Sequence, residues 1–131
     1  MIETDLRNFL LAQAPLTALV GQRVYGLVRE QGTPDQLPSV RVQRRLTNRF
    51  RTFCGTDPLV DAQIQIDAFG IDMDSAGAVA RVMRKALVDF SGQMGASRVD
   101  DVSLDNEFPL TDPDPGVIHV AQIYNFWFEE D

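Results

Sequence analysis

The clearest periodicity in the chain lies at its centre. Val60, Ala62, Ile64, Ile66 and Ala68 alternate with Asp61, Gln63, Gln65 and Asp67. Strict period two predicts a strand whose sheet is buried on one side. A helical pattern follows. Ala76, Val79, Ala80, Met83, Ala86, Leu87 and Phe90 fall on one stripe, opposite Arg81, Arg84, Lys85 and Asp89. Asp72, Asp74 and Ser75 are placed to cap this helix, and Ser91-Gly92 to stop it. At the start of the chain Leu6, Phe9 and Leu10 share a helix face behind Thr4 as N-cap, with Asp5 at the positive end. Pro15 suits the first turn of a further short helix through Leu16, Leu19 and Val20, with Gly21 as its stop.

The remaining segments read as strands and loops. A short strand is expected near 23–28, and a loop over 31–36 with its Gly and Pro. Pro38 opens a strand in which Val40 and Val42 alternate with Arg41 and Gln43. Residues 47–58 keep no clean period and read as a long hairpin arm or loop. Val102 and Leu104 predict a short strand among acids. Thr111-Asp112-Pro113-Asp114-Pro115-Gly116 is turn chemistry before a last strand over 117–128. There Tyr124, Phe126 and Phe128 share one face and Trp127 takes the other, so both faces are covered, within the fold or by a neighbouring subunit. The order α-β-β-β-α-β-β predicts an α+β fold: a mostly antiparallel sheet of four to five strands with two helices packed on one face.

Length and composition fit that picture. The 131 residues suit one domain, 1–131, and 44% hydrophobic with 24% charged residues is ordinary for a globular chain. No apolar run approaches the roughly 20 residues of a membrane helix, and the first residues do not resemble a signal peptide. The single cysteine makes no internal disulfide and fits a reducing compartment. The net charge of −7 argues against a dedicated nucleic-acid binder.

The distribution of charge adds more than its total. Residues 1–60 hold eight Arg against five acids; residues 99–131 hold nine acids and no Lys or Arg. Arg41, Arg44, Arg45, Arg49 and Arg51 lie within eleven positions. Opposite segments of this kind attract copies of the chain or a partner of opposite polarity, and also fit two unrelated solvated surfaces. Arg44, Arg45, Arg49 and Arg51, with Asp100 and Asp101, are the candidate interface residues.

Candidate chemistry is thin. His119 is the only histidine, and a place on a strand face explains it more simply than a general-base role. Cys54 shows no partner base and reads as passive. Asp72 and Asp74 lack the glycine and closing glutamate of a calcium loop. No phosphate-binding, dinucleotide, metalloprotease or nucleophile-elbow motif occurs. No catalytic, cofactor-binding or metal-binding residue is expected.

The ordered set of segments resembles the small tail-completion, or tail-terminator, proteins of long-tailed phages. It runs through the opening helix and Leu16-Thr17-Ala18-Leu19-Val20-Gly21-Gln22-Arg23-Val24-Tyr25, then Leu37-Pro38-Ser39-Val40-Arg41-Val42. Ala62-Gln63-Ile64-Gln65-Ile66-Asp67-Ala68-Phe69-Gly70 before the 76–90 helix, and Ile118-His119-Val120 leading to Phe126-Trp127, complete it. The resemblance implies a ring, expected to be a hexamer, at the head-proximal end of the tail tube. Such a ring stops tube growth and offers the head connector a surface, in host cytoplasm during assembly and then in the virion neck. Its partners are copies of itself, the tube protein and the connector, with no cofactor and no membrane. The other readings are a different neck protein (connector or stopper), or a soluble α+β domain that binds a small ligand or peptide.

Overall fold

The computed structural model describes residues 2–25, 38–52, 55–111 and 117–129; for 48–52, 55–59, 110 and 111 it describes the backbone alone. Cys54 and the turn cluster over 112–116 lie outside the described residues.

Helices α1 (Ile2–Leu11) and α2 (Ala14–Val20) precede strands β1 (Val24–Tyr25), β2 (Ser39–Thr52) and β3 (Gly55–Gly70). Helix α3 (Met73–Leu87) and strands β4 (Gly92–Met94), β5 (Ser97–Thr111) and β6 (Ile118–Glu129) complete the order. The α+β class holds, but with three helices and six strands, in the order β1-β2-β3-β6-β5-β4. The sheet is mixed, because β1 pairs parallel with β2 while the other neighbours are antiparallel.

The expected strand at 60–68 is the middle of β3, at the centre of the sheet. Val60, Ala62, Ile64, Ile66 and Ala68 are buried, and so are Tyr124, Phe126 and Phe128 beside them on β6. They form one core with Ile2, Leu6 and Leu10 of α1, Leu16 and Val20 of α2, and Ala76, Val79, Met83 and Leu87 of α3. The second helix is separate because Pro15 occupies its first turn, while Gly21, at φ 59°, donates its N–H to Thr17 O.

Three boundaries differ from expectation. Thr4 lies within α1 and is not its N-cap. Helix α3 stops at Leu87, because Asp89 takes φ 64° and its N–H bonds Val102 O; Phe90, beyond the helix, packs edge-on against Phe9 at 4.9 Å. The acidic strand is long, and β4 was not expected. Gly95, at φ 61°, turns β4 into β5 directly over Asp5, where a Cβ would lie 2.4 Å from Asp5 Oδ1. Asp5 is itself buried and accepts a 2.6 Å bond from Ser97 Oγ, so α1 anchors that turn.

Asp72 is the N-cap of α3. It accepts from Ser75 N at 2.7 Å while Ser75 Oγ answers the Asp72 N–H. Gly70 just before it lets the strand end abut the helix, since a Cβ there would sit 2.6 Å from Ala76 N. Asp72→Ala is expected to cost about 1 kcal/mol and Asp72→Asn only a few tenths. Chemical denaturation of the two variants checks this, and equal losses would show that the carboxylate does more than cap.

Candidate assembly surfaces

Both faces of the central sheet are built from side chains that hold one another. The face away from the helices was expected to be solvated, yet Asp67 has no exposure and Phe69 has 2%. Asp67 faces Arg41 directly across β2 and lies diagonal to His119 on β6, close enough for both to reach it. Arg41 donates from Nε and Nη2 to Asp67 Oδ2 at 2.9 and 2.7 Å. Oδ1 accepts from Gln65 Nε2 at 2.7 Å, and His119 Nε2 sits 2.7 Å from the same oxygen. His119 stacks on Phe69 at 4.4 Å, and the Arg41 guanidinium lies 5.5 Å from the Phe69 ring centre. Burial alone would push the Asp67 carboxyl up; the bonds from His119, Gln65 and Arg41, with the charge of His119, outweigh it and hold it low. The result is a clamp across β2, β3 and β6.

A second polar cluster lies under α3. Gln122 has no exposure and donates to Ala80 O at 2.9 Å and to Glu107 Oε2 at 2.6 Å. Tyr124 donates its hydroxyl to Gln122 Oε1 at 2.8 Å, and Arg84 meets Glu107 at 3.0 Å. Burial, then the Glu107 charge, pushes the Tyr124 hydroxyl well above its usual range. Every member has a hydrogen-bond or ion-pair partner, which fits a packing role. Among the described residues no group of three or more His, Cys, Asp or Glu is placed to hold a metal.

The candidate interface residues lie on two strands. Arg44 is engaged within the chain: its Nε meets Glu3 Oε1 at 2.5 Å and ties β2 to α1. Arg45 is exposed at a bulge, between the Arg44–Ile64 and Leu46–Gln63 pairs. Leu46 beside it is 53% exposed. Arg49 and Arg51 stand further along the β2 backbone, where β2 and β3 pair on to Thr52–Gly55. The last β3–β6 pair is Leu59–Glu129, so residues 55–58 run past the end of β6. The segment expected as an arm or loop is thus paired strand on both sides of its tip. Asp100 and Asp101 are exposed on β5, Asp100 within 3.8 Å of Arg98. They lie two strands away from β3, so the structure does not join them to the arginines within one chain.

Sequence reasoning missed Arg41 and Asp67 as partners and the pairing of Glu107 with Gln122. A buried role for Asp67 was signalled only by Phe69 and His119 sharing its side of the sheet.

The chain belongs to the tail completion protein gp17 family, whose model matches residues 4–129, and is a structural protein of phage tails. Among solved structures it is similar to a chain of the virion of a native gene transfer agent particle. That match has 17% identity and a TM-score of 0.75, and covers 98% of this chain and 95% of the other. A second solved chain matches with 19% identity and a TM-score of 0.55, over 99% and 93% of the two chains. No curated protein sequence matches significantly.

Proposed function

We propose that this protein forms a ring, expected to be a hexamer, that caps the head-proximal end of the tail tube, halts tube growth and gives the head connector its docking surface. Its place is the neck of the virion. The observation that carries the reading is family membership over residues 4–129, joined to a surface with separate basic and acidic strands. The likeness to a chain of a gene transfer agent virion supports the same setting. In this reading the β2–β3 hairpin is an arm reaching beyond the sheet, and its arginines meet an acidic rim of the tube or of the next subunit. Work done by interfaces needs no cofactor, and the polar clamps keep the interfaces in shape.

The test is complementation of a phage that lacks this gene. Wild type should restore tails of normal length joined to heads. Arg45→Ser/Arg49→Ser/Arg51→Ser should leave the melting temperature almost unchanged, since exposed ion pairs each contribute only about 0–1 kcal/mol. Micrographs should then show overlong tails or tails without heads. Normal particles from phage lacking the protein altogether would overturn the capping role.

A further inference from the structure

The two long strands that flank the β3–β6 pair carry opposite charge. From Val42 to Thr52, β2 holds Arg44, Arg45, Arg49 and Arg51 and no acid. From Asp100 to Thr111, β5 holds Asp100, Asp101, Asp105 and Glu107 and no base. Among the described residues, no strand pairs with the outer side of either stretch. The β1 partners stop at Val40 and Arg41, and the β4 partners at Ser97, Arg98 and Val99.

The charges also match in height. Measured along β6, Arg45 stands between the Tyr124 and Asn125 rungs, and Asp105 between the Ile123 and Tyr124 rungs. Arg49 stands on the Phe128 rung, and Asp100 between the Phe128 and Trp127 rungs. Three antiparallel steps separate β2 from β5, so the two strands run in opposite directions. A second copy set beside β5 in the same orientation therefore brings its β2 antiparallel to β5, with Arg45 near Asp105 and Arg49 near Asp100.

We infer that the β5 edge of one copy docks on the β2 edge of the next, a head-to-tail contact repeated around the assembly; the inference rests on the ring reading above and names its joint. A two-fold contact between like edges would set arginine on arginine or aspartate on aspartate, which costs affinity. Only the unlike pairing is complementary, and a repeated heterologous contact makes a ring when a rotation between neighbours closes it and an open filament when none does. Arg45, Asp100 and Asp105 all occupy bulges, which interrupt an edge ladder and disfavour indiscriminate strand addition. The contact is accordingly made by side chains. Arg44 and Glu107 are held by Glu3 and by Arg84 with Gln122; the contact falls to the exposed Arg45, Asp101 and Asp105, to Asp100 beside Arg98, and to Arg49 by its place on the β2 backbone.

Two charge reversals test the joint. Asp100→Arg/Asp105→Arg sets a base at the matched positions of both edges, and Arg45→Glu/Arg49→Glu sets an acid at the matched positions of both. Sedimentation at ~50 mM salt should show wild type assembling, and each variant alone needing on the order of ten- to hundredfold more protein. An equimolar mixture should assemble like wild type, since each basic edge then meets an acidic one. At ~1 M salt, where screening reaches ~3 Å, the differences should largely vanish. Unchanged melting temperatures confirm that both variants fold. Variants that assemble as wild type does, or a mixture no better than its parts, overturn the edge contact and leave the ring intact. Wild type that stays monomeric in solution overturns the edge contact as a self-sufficient joint. Wild type that forms no ring even on purified tail tubes overturns the ring reading itself.

Discussion

Asp67→Ala is expected to lower the unfolding free energy at neutral pH by roughly 3 kcal/mol, the lower end of what breaking a buried ion pair costs. The carboxylate has no exposure and His119 has 8%, but the Arg41 side chain keeps 25%. Water can therefore take over part of what Arg41 loses, while His119 and Gln65 are left with donors pointing at a void. Asp67→Asn should be nearly as harmful, because its amide N–H₂ would face the Arg41 or Gln65 donors. The pH dependence gives an independent check. The folded carboxyl is held below its unfolded value of about 3.9, so its stabilisation is complete above that pH and is lost as pH falls through the folded value. Urea titrations should show the gap between wild type and Asp67→Ala closing as pH falls below about 4. A gap that ignores acid would mean that Asp67 acts by packing and not by charge.

The same network shows why part of the fold was legible and part was not. Strict alternation from Val60 to Ala68 located the central strand and its buried face correctly, because nothing interrupts period two there. On the opposite face the reading failed at Asp67, which looks solvent-facing like the half-buried Asp61, Gln63 and Gln65 but is fully buried. Asp67 is instead neutralised by Arg41 and His119, which come from positions 26 and 52 residues away and meet it only in the sheet. On β5 the positions beside β6 core residues, Val99, Val102, Leu104 and Glu107, are spaced by three, two and three. Bulges at Asp100 and Asp105 insert those extra residues, so the strand shows no long period and reads as short. The bulge at Arg45 shifts β2 in the same way. Strand β4, with three residues, is below what periodicity resolves. The candidate interface was visible as two charge clusters. Their places at matching heights on the two strands that flank β3 and β6 depend on the sheet order, which no local pattern encodes.

Ile64→Ala is expected to cost about 2–5 kcal/mol, with Ile64→Val costing about 0.5–1.5 kcal/mol. Ile64 lies in the middle of the central strand, fully buried, with Tyr124 opposite it on β6 and Arg44 on β2. Its neighbours are fixed from several directions: Tyr124 by its bond to Gln122, Gln122 by Ala80 and Glu107, and Arg44 by Glu3. A site whose walls are held by hydrogen bonds collapses poorly into a cavity, which places the loss in the upper half of the range. Thermal and urea unfolding of the isolated chain measure it directly. The substitution leaves the outward charges of β2 and β5 unchanged, so below its melting temperature the variant should keep the salt dependence of assembly seen in wild type. The arginine reversals should do the opposite, changing assembly and leaving the melting temperature in place. If Ile64→Ala left stability unchanged, the registered pairing of β2, β3 and β6 would be wrong, and with it the matching heights on which the edge contact depends.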